Sequence, residues 1–542
     1  MTSLSITPNI ATSQPLPTTT TQRLWLIGIL GAGLGLRVFG ALHPVEVLLD
    51  KTLPDDAFYY FQIAHNIVLG KGVTFDGLAP TNGFHPLWML LTTLVFQFFS
   101  GDNAVRATLV LSSCLDMLAV WLLYRAVKYL TGQPEAGILA ALIYALNPTI
   151  WMFALNGLET ALNMAIVAIL TERLIVWRIQ SQLTHKEAAL LGLLFGLALL
   201  ARTDNIFLLV VSALVILLMW RQLTVWRRLQ VLGIASAITV LVTAPWFLWN
   251  YFTFGSLVQV SGTILPYIQH QMFIHRTGLA PLAWSNLPYI LYVHIYDDIV
   301  NIFIWAGYGR LSNTDGSILP VTLFITLCTA FIWYSPISRQ EFFSQLKTIV
   351  FLPVTLFLLF LYHSGIRWVY REWYILPISW TILLILGMVY ALVLNFADGR
   401  SQNKQAMHRL IWTLLCVALF VRSMNVWRIG IYPNQSSFTV LVQAIDKLPE
   451  GTRVGVADSG YVGFRVKRSI VNLDGVVNNQ AANAMFAHQL MDYLLKTHVD
   501  YIYTESRYMI PELFGADFQN RLVEVPGTGA YRVILSGQNT NK

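Results

Sequence analysis

Residues 54–72 read Pro-Asp-Asp-Ala-Phe-Tyr-Tyr-Phe-Gln-Ile-Ala-His-Asn-Ile-Val-Leu-Gly-Lys-Gly. An aspartate directly after a proline is typical of a helix start, and the closing Gly-Lys-Gly is typical of a helix end. One face of this helix carries Asp55, Tyr59, Gln62 and Asn66, and another carries an apolar stripe of Ala57, Phe61, Ala64 and Val68. The stretch therefore predicts an amphipathic helix that lies along a membrane surface and turns its polar face toward a cavity.

The rest of the chain is too apolar for a soluble protein. Hydrophobic residues make up 56% of the 542 residues and charged residues only 12%, whereas soluble domains contain about 25% charged residues. The apolar content excludes intrinsic disorder, and three cysteines are too few for a disulfide scaffold. All three cysteines lie inside apolar runs and show no metal-binding spacing. The composition predicts a polytopic α-helical membrane protein.

The net charge of +7 does not indicate nucleic-acid binding, because the basic residues cluster in short loops between apolar runs. About eleven of these runs approach the roughly 20 residues that cross a bilayer. With a cytoplasmic N-terminus, every dense basic loop falls on the cytoplasmic side, as the positive-inside rule requires. This parity needs residues 85–99, an apolar run of only about 15 residues, to be re-entrant or interfacial. The candidate spans are 24–42, 104–124, 137–154, 161–176, 188–200, 206–220, 229–251, 318–334, 350–363, 373–396 and 410–427.

These spans divide the chain into three parts. Residues 1–22 are polar and rich in Ser, Thr and Pro, which is typical of a disordered tail. Residues 23–432 are predicted to form the transmembrane domain, with a first outer loop over 43–103 and a long outer loop over 252–317. Residues 433–542 alternate β-like runs with helical patterns and predict a small extracytoplasmic α/β domain. Its Asp458-Ser-Gly and Asp474-Gly sequences follow predicted strands, where they are either ordinary turns or ligand contacts.

Charged residues recur near the outer ends of the predicted spans. A charge at the centre of a bilayer costs about 3 kcal/mol on insertion scales, so such residues tend to face protein or a water-filled cavity. Arginine suits a phosphate group better than lysine does, because its planar guanidinium binds two oxygens at once. Together these residues predict a site for an anionic headgroup, although Arg202 and Asp204 could equally form a structural ion pair. The carboxylates are Glu159 and Asp204, and the arginines are Arg202, Arg310, Arg367 and Arg371.

Several segments resemble the GT-C superfamily of membrane glycosyltransferases, which includes protein O-mannosyltransferases, the aminoarabinose transferase of lipid A and mycobacterial arabinosyltransferases. The first outer loop carries the more specific segments, Asp55-Asp-Ala-Phe-Tyr-Tyr and Thr81-Asn-Gly-Phe-His-Pro-Leu-Trp. Weaker segments begin at Asn156, Leu200, Pro245 and Val471. The resemblance implies a protein of the plasma (inner) membrane that uses a polyprenyl-phosphate-linked sugar as donor. The acceptor would be a hydroxyl of a glycan, a lipid or a protein on the extracytoplasmic side.

The resemblance also implies roles for individual residues. An outer-loop aspartate acts as general base on the acceptor hydroxyl, with inversion at the anomeric carbon; Asp55 matches the catalytic position best, and Asp56 is the alternative. Tyr59, Gln62 and His85 are candidates to position sugar hydroxyls, and a structural role for His85 is equally compatible with the pattern. The arginines would stabilise the leaving phosphate. Relatives differ in their use of metal, which leaves a divalent cation open as a cofactor, and no carboxylate-x-carboxylate motif in the outer loops requires one.

Two other kinds of protein are compatible with the residues. A transporter or lipid flippase could also use membrane-embedded charges, but the two halves of the chain show no repeat of hydropathy. A non-catalytic membrane scaffold could use its outer domain to bind a partner. The first outer loop, with its paired aspartates, favours the enzyme.

Overall fold

The computed structural model describes residues 18–181, 183–303, 336–397, 404–526 and 528–534, and these residues are mostly helical. In the first half of the chain the α-helices are α1 (Thr20–Ala41), α2 (Val45–Lys51), α3 (Asp55–Val68), α4 (Pro86–Phe98), α5 (Gly101–Thr131), α6 (Pro134–Leu146), α7 (Pro148–Ala154), α8 (Thr160–Gln180), α9 (His185–Ala201), α10 (Ile206–Met219), α11 (Val225–Phe254) and α12 (Val260–Thr277). Later helical segments cover Leu287–Tyr289, Ile290–Tyr296, Asp297–Phe303, Pro336–Ile349, Phe351–Phe360, Leu361–Ile366, Ile375–Ala397, Lys404–Ile429, Ser437–Asp446, Gly460–Arg465, Asn479–Phe486, Leu490–Lys496 and Pro511–Phe514.

Six of the described helices are long and apolar enough to cross a membrane, and up to eight spans result if each of two bent pairs forms one span. One bent pair is α6 with α7, which meet at 66°, and the other joins Ser338–Ile349 to Phe351–Ile366 at 63°. Large apolar side chains on α11, such as Val240 and Leu241, point away from the protein, as in helices that face lipid. The protein is therefore a multi-pass membrane protein.

The predicted count of about eleven spans stays a prediction. The predicted spans 188–200 and 206–220 correspond to α9 and α10, which are helical but shorter than the six long helices. The run 318–334 lies outside the described residues. The apolar run at 85–99 forms α4, which has 13 residues and reaches only about 20 Å at 1.5 Å per residue. A helix of that length is short for a membrane span, which agrees with leaving α4 out of the predicted spans.

The C-terminal part of the chain forms a five-stranded mixed sheet. Its strands are β1 (Arg453–Val456), β2 (Ser469–Asn472), β3 (Tyr501–Tyr503), β4 (Leu522–Val525) and β5 (Ala530–Val533), in the order β2-β1-β3-β5-β4. β1 pairs in parallel with β2 and β3, while β5 runs antiparallel to β3 and β4. Helices cross over between the parallel strands. The predicted fold class, a polytopic helical protein with a small C-terminal α/β unit, is confirmed.

Helix α3 is buried between the transmembrane helices and the C-terminal sheet, and does not lie open on a membrane surface. Its apolar stripe belongs to one hydrophobic cluster that also contains Trp151 of α7 and Tyr461 of the Gly460–Arg465 helix. The ring of Phe58 contacts the edge of the Tyr461 ring, with centroids 5.0 Å apart. Both the membrane part and the C-terminal sheet are therefore packed on α3, the second helix of the first outer loop.

Two glycines let backbone meet backbone at this junction. A Cβ atom on Gly83 would lie 1.8 Å from the carbonyl oxygen of Val476, and one on Gly460 would lie 2.1 Å from the carbonyl oxygen of Asp55. Both distances are far below van der Waals contact, and a backbone carbonyl cannot rotate aside as a flexible side chain can. The first outer loop and the C-terminal sheet therefore fit together only if these positions lack side chains.

Gly83→Ala is expected to separate the loop from the sheet and to destabilise the protein by about 1–3 kcal/mol, the usual cost of overpacking. This loss is measured by heating the detergent-solubilised protein and using size-exclusion chromatography to determine the fraction that remains folded at each temperature. Gly35→Ala is the matched control, because a Cβ atom on Gly35 meets no atom within 4 Å. Equal unfolding temperatures for the two variants would show that the close approach at Gly83 is unimportant.

Candidate functional site

The carboxylate of Asp55 binds the start of a helix in the C-terminal part of the chain. Its Oδ2 accepts a hydrogen bond from the Gly460 N–H at 2.8 Å, and its Oδ1 accepts one from the Tyr461 N–H at 2.7 Å. A helix N-terminus has unpaired N–H groups and a partial positive charge, so a carboxylate stabilises it. Burial raises the pKa of Asp55 well above its ordinary value, while these two N–H groups act in the opposite direction. Both oxygens of Asp55 are thus used in joining the two parts of the protein.

Tyr59, one helical turn after Asp55, makes the second polar contact with the C-terminal sheet. Its hydroxyl donates to Oδ2 of Asp474 at 2.9 Å and accepts from the Ser459 N–H at 3.1 Å. Burial raises the pKa of Asp474 to about 7, and the nearby Asp458 adds to this rise. The Asp458-Ser-Gly and Asp474-Gly turns therefore face α3, and Tyr59 and Asp55 bind directly to them.

A cavity of about 400 Å³ opens beside this junction. Its walls come from the first outer loop, the turn before α8, the segment between α9 and α10, the start of α12, residues 362–374, and Val476 after β2. Eight residues predicted from the sequence line it: Asp56, Tyr59, His85, Glu159, Arg202, Asp204, Arg367 and Arg371. Asp55 and Gln62 do not line it, and Arg310 lies outside the described residues. The structure thus brings most of the predicted charged residues to one place.

Asp56 points into the cavity and keeps a free carboxylate. No hydrogen bond from the described part of the chain reaches its oxygens, and the largest charge interaction on its carboxylate comes from the guanidinium of Arg371. Burial raises the pKa of Asp56 to about 6, and Arg371 partly offsets this rise. Arg371 lies over the Trp373 ring, 5.7 Å from its centroid, and its Nε has no hydrogen-bond partner among the described residues. A carboxylate and a guanidinium therefore share the cavity without being paired to each other.

Arg202 is held in an ion network. Its Nη1 donates to Oε1 of Glu159 at 2.7 Å, and its Nε and Nη2 donate to the two oxygens of Asp204 at 3.1 and 3.0 Å. The ring of Tyr374 lies under the guanidinium at 4.5 Å, and its hydroxyl bonds both Arg202 and Asp204 at 2.6 Å. His363 Nε2 also contacts Asp204 at 3.1 Å. The network fixes the cavity wall and leaves Arg202 little capacity for a further anion.

Two other predicted residues have clear partners. His85 Nδ1 lies 3.1 Å from Nε2 of Gln259, and its Nε2 lies 3.7 Å from Oε1 of Glu159, so the ring bridges the first outer loop and α12. Burial lowers the pKa of His85, which favours the neutral ring. Gln62 instead donates to the Phe75 carbonyl at 3.4 Å, away from the cavity.

Arg367 is a cavity arginine with spare donors. Its Nη2 donates to the Gly262 carbonyl at 2.8 Å, while its Nε has no partner among the described residues. Arg367 and Arg371 therefore remain the two cavity arginines best able to bind an added anion.

Comparison with known proteins gives two family matches. Residues 84–249 match the family described as dolichyl-phosphate-mannose-protein mannosyltransferase. Residues 429–537 match a family described as a domain of unknown function (DUF8728). No curated protein matches the chain.

Two solved structures are similar over most of the chain. ArnT from Cupriavidus metallidurans, bound to undecaprenyl phosphate, matches with a TM-score of 0.55 at 12% identity, over 94% of this chain and 98% of that one. The archaeal oligosaccharyltransferase AglB from Archaeoglobus fulgidus, in complex with an inhibitory peptide and a dolichol-phosphate, matches with a TM-score of 0.55 at 12% identity, over 89% of this chain and 70% of that one. The chain has the GT-C fold. The resemblance noted from its motifs is confirmed, and the matches agree with a membrane glycosyltransferase and give no support to a transporter.

Sequence reasoning missed many lining residues of this cavity, among them four that bind the predicted ones: Tyr60, Gln259, His363 and Tyr374. Tyr60 donates to Oε2 of Glu159 at 3.0 Å and accepts from the His85 N–H. Tyr60 adjoins Tyr59 in the first-loop motif, so the motif itself was the available signal. The other three lie far along the chain from the groups that they bind, and hydropathy gives no indication of such pairs.

The donor groups of the cavity decide whether it could hold a metal ion. Among the residues that the structure describes, no three histidine, cysteine or carboxylate side chains converge closely enough to form a metal site. The carboxylates of Glu159 and Asp204 are instead engaged with Arg202.

Asp55→Asn is expected to loosen the C-terminal sheet, since an amide offers one acceptor oxygen to two N–H groups. The expected loss is about 1–3 kcal/mol of stability, the cost of an unpaired buried donor. Asp56→Asn is the matched control on the neighbouring residue and should leave stability unchanged. Limited proteolysis of both variants in detergent, read as release of the C-terminal part, makes the comparison. Equal protease resistance would contradict the structural role of Asp55.

Proposed function

We propose that the protein transfers a sugar from a polyprenyl-phosphate-linked donor to an acceptor hydroxyl, with Asp56 as general base and inversion at the anomeric carbon. The observation that carries this proposal is the free carboxylate of Asp56 in the same cavity as Arg371 and Arg367. A carboxylate serves as the base, and arginines serve an anionic leaving group. Asp55 is not our choice of base, because both of its oxygens are bound to backbone N–H groups.

The cavity wall suits the two ends of such a donor. Ile206, Phe207 and Leu265 offer apolar surface next to the transmembrane helices, where a prenyl chain would approach. Arg371 and Arg367 lie among the same lining residues and provide donors for a phosphate. The similar ArnT and AglB structures were determined with undecaprenyl phosphate and dolichol-phosphate, which supports this class of donor for the present chain.

The reaction follows from these positions. The acceptor oxygen attacks the anomeric carbon while its proton passes to Asp56. The bond between that carbon and the phosphate oxygen breaks, and its electron pair leaves with the polyprenyl phosphate. Charge then grows on the phosphate, where Arg371 and Arg367 stabilise it. A base with a pKa of about 6 accepts a hydroxyl proton more readily than an ordinary aspartate does.

We further propose that the N-terminus lies in the cytoplasm and that the cavity opens on the extracytoplasmic side of the plasma membrane. The basic loops support this orientation through the positive-inside rule. The C-terminal sheet packs on the first outer loop, so both would lie outside the membrane on the same side. A division into 1–22, 23–432 and 433–542 is compatible with this arrangement.

Asp56→Asn is expected to reduce sugar transfer by about 10²- to 10⁴-fold, because the general base is lost while the fold is kept. Membranes containing the protein are supplied with radiolabelled polyprenyl-phosphate sugars, and label is measured in the acceptor fraction. Asp458→Asn is the control: Asp458 contributes to the charge around Asp56 and Arg371 but does not line the cavity. Undiminished transfer by Asp56→Asn would exclude the proposed base.

The pH dependence of transfer gives a separate test. A general base acts only when deprotonated, so kcat/KM should fall as pH drops through about 6, by about tenfold per unit below it. The pH profile of the initial transfer rate measures this. The acid limb should be absent from the residual rate of Asp56→Asn. A wild-type rate that stays constant down to about pH 4, the range of an ordinary aspartate, would contradict the assignment.

A further inference from the structure

A second cavity, of about 490 Å³, lies between the end of α11, the start of α12, the first outer loop and the Asn479–Phe486 helix. We call it the amide groove, and its characteristic lining residues are Asn82, Thr253, Phe254, Gln480, Asn483 and Phe486. No charged side chain is among the described residues that line it. The amide groove therefore differs chemically from the cavity of about 400 Å³ beside it, which is lined by many charged residues.

Part of the groove is built and rigid. Asn82 Oδ1 accepts from Nδ2 of Asn479 at 2.9 Å and from the Val260 N–H at 3.1 Å, while its Nδ2 donates to Asn250 at 3.2 Å. These bonds join the first outer loop, α11, α12 and the C-terminal part at a single side chain. The floor of the groove is thus fixed by buried amides, as in a preformed binding site.

Other polar groups in the groove are free. Gln480 and Asn483 lie one helical turn apart, and neither side chain bonds any described residue. The hydroxyl of Thr253, on the facing end of α11, is also without a partner in the described part of the chain. An amide offers a donor and an acceptor side by side, which matches two neighbouring hydroxyls of a sugar ring.

Two aromatic rings, those of Phe254 and Phe486, also line the amide groove. Phe486 is 38% exposed, and the edge of the Tyr267 ring supports it at a centroid distance of 4.8 Å. Phe254 is held in a similar way by Trp249, at 5.2 Å. The exposed Phe486 and the half-buried Phe254 offer apolar surface to the C–H face of a sugar ring, while the amides bind its hydroxyls.

We propose that the amide groove binds a neutral oligosaccharide and that this glycan is the acceptor in the transfer described above, an inference that rests on the proposed function. Val258 lines both cavities, so a chain bound in the amide groove can extend past Val258 toward Asp56. The uncharged lining offers nothing to pair with a phosphate or a carboxylate, and binding an unpaired charge there would cost free energy. The groove therefore selects a neutral glycan against an anionic lipid or an acidic polysaccharide.

The test measures binding directly and without donor, in the full-length Asp56→Asn variant in lipid nanodiscs, so its result does not depend on transfer. The probes are linear manno-, gluco-, galacto- and arabino-oligosaccharides, with oligogalacturonate as the acidic comparison and a Ser- and Thr-rich peptide as the protein-like one. Saturation-transfer NMR is expected to detect at least one neutral series, with a Kd of about 1 mM or tighter.

Amino-acid substitutions test whether the oligosaccharide binds in the amide groove. Replacing Gln480 and Asn483 with alanine should weaken it by about 10-fold or more, as expected for lost hydrogen bonds. Gln489→Ala is the matched control, since Gln489 is exposed on the same part of the chain but does not line the groove. The proposal is wrong if no neutral series binds, if oligogalacturonate or the peptide binds as well, or if Gln480→Ala with Asn483→Ala has no effect. Binding without any transfer activity in the wild type would refute the proposed function and the role of the glycan as acceptor, but it would leave the glycan-binding groove standing.

Discussion

The buried carboxylate of Asp55 is a central contact between the C-terminal part of this protein and the rest of the chain. Asp55 belongs to the first outer loop, and the helix that it caps begins 405 residues later, at Gly460. The contact is possible only because Gly460 brings its backbone against the Asp55 backbone, where any side chain would collide. The two hydrogen bonds between the helix start and the carboxylate oppose sliding and rotation of α3. Every other side chain of α3 then has a fixed direction.

That fixed direction explains why two adjacent aspartates have different surroundings. Successive residues of an α-helix point about 100° apart, so side chains at positions 55 and 56 cannot face the same partner. Binding Asp55 to the C-terminal helix turns Asp56 into the cavity. Tyr59, one turn from Asp55, follows it and binds Asp474. The paired aspartates of the motif therefore divide two tasks, holding the C-terminal sheet and presenting a carboxylate, between neighbouring residues.

The sequence predicted which charged residues line the cavity better than it predicted which of them bind each other. Charged residues near the ends of apolar spans must find either a partner or water, so Glu159, Arg202, Arg367 and Arg371 could be expected to gather. Which of them pair depends on long-range folding. Arg202 is neutralised by two carboxylates and stacked on Tyr374, a residue 172 positions away, and no local pattern encodes that distance. The capping role of Asp55 could not be predicted from the sequence either, because the helix that it caps lies 405 residues away. The position of Asp55 in the motif instead favoured it as the catalytic residue.

The C-terminal part of the chain supplies lining residues to both cavities. Residues 472–486 form one continuous segment that contacts each functional element in turn. Asp474 holds Tyr59, Val476 lines the cavity with Asp56, Asn479 bonds Asn82, and Asn483 lines the amide groove. A shift of this segment would change both cavities at once, because its ends are fixed by strand β2 and by the packing of its helix. The geometry of the charged cavity and that of the amide groove are therefore set by the same stretch of chain, which would tie the position of a glycan bound as proposed to the position of Asp56.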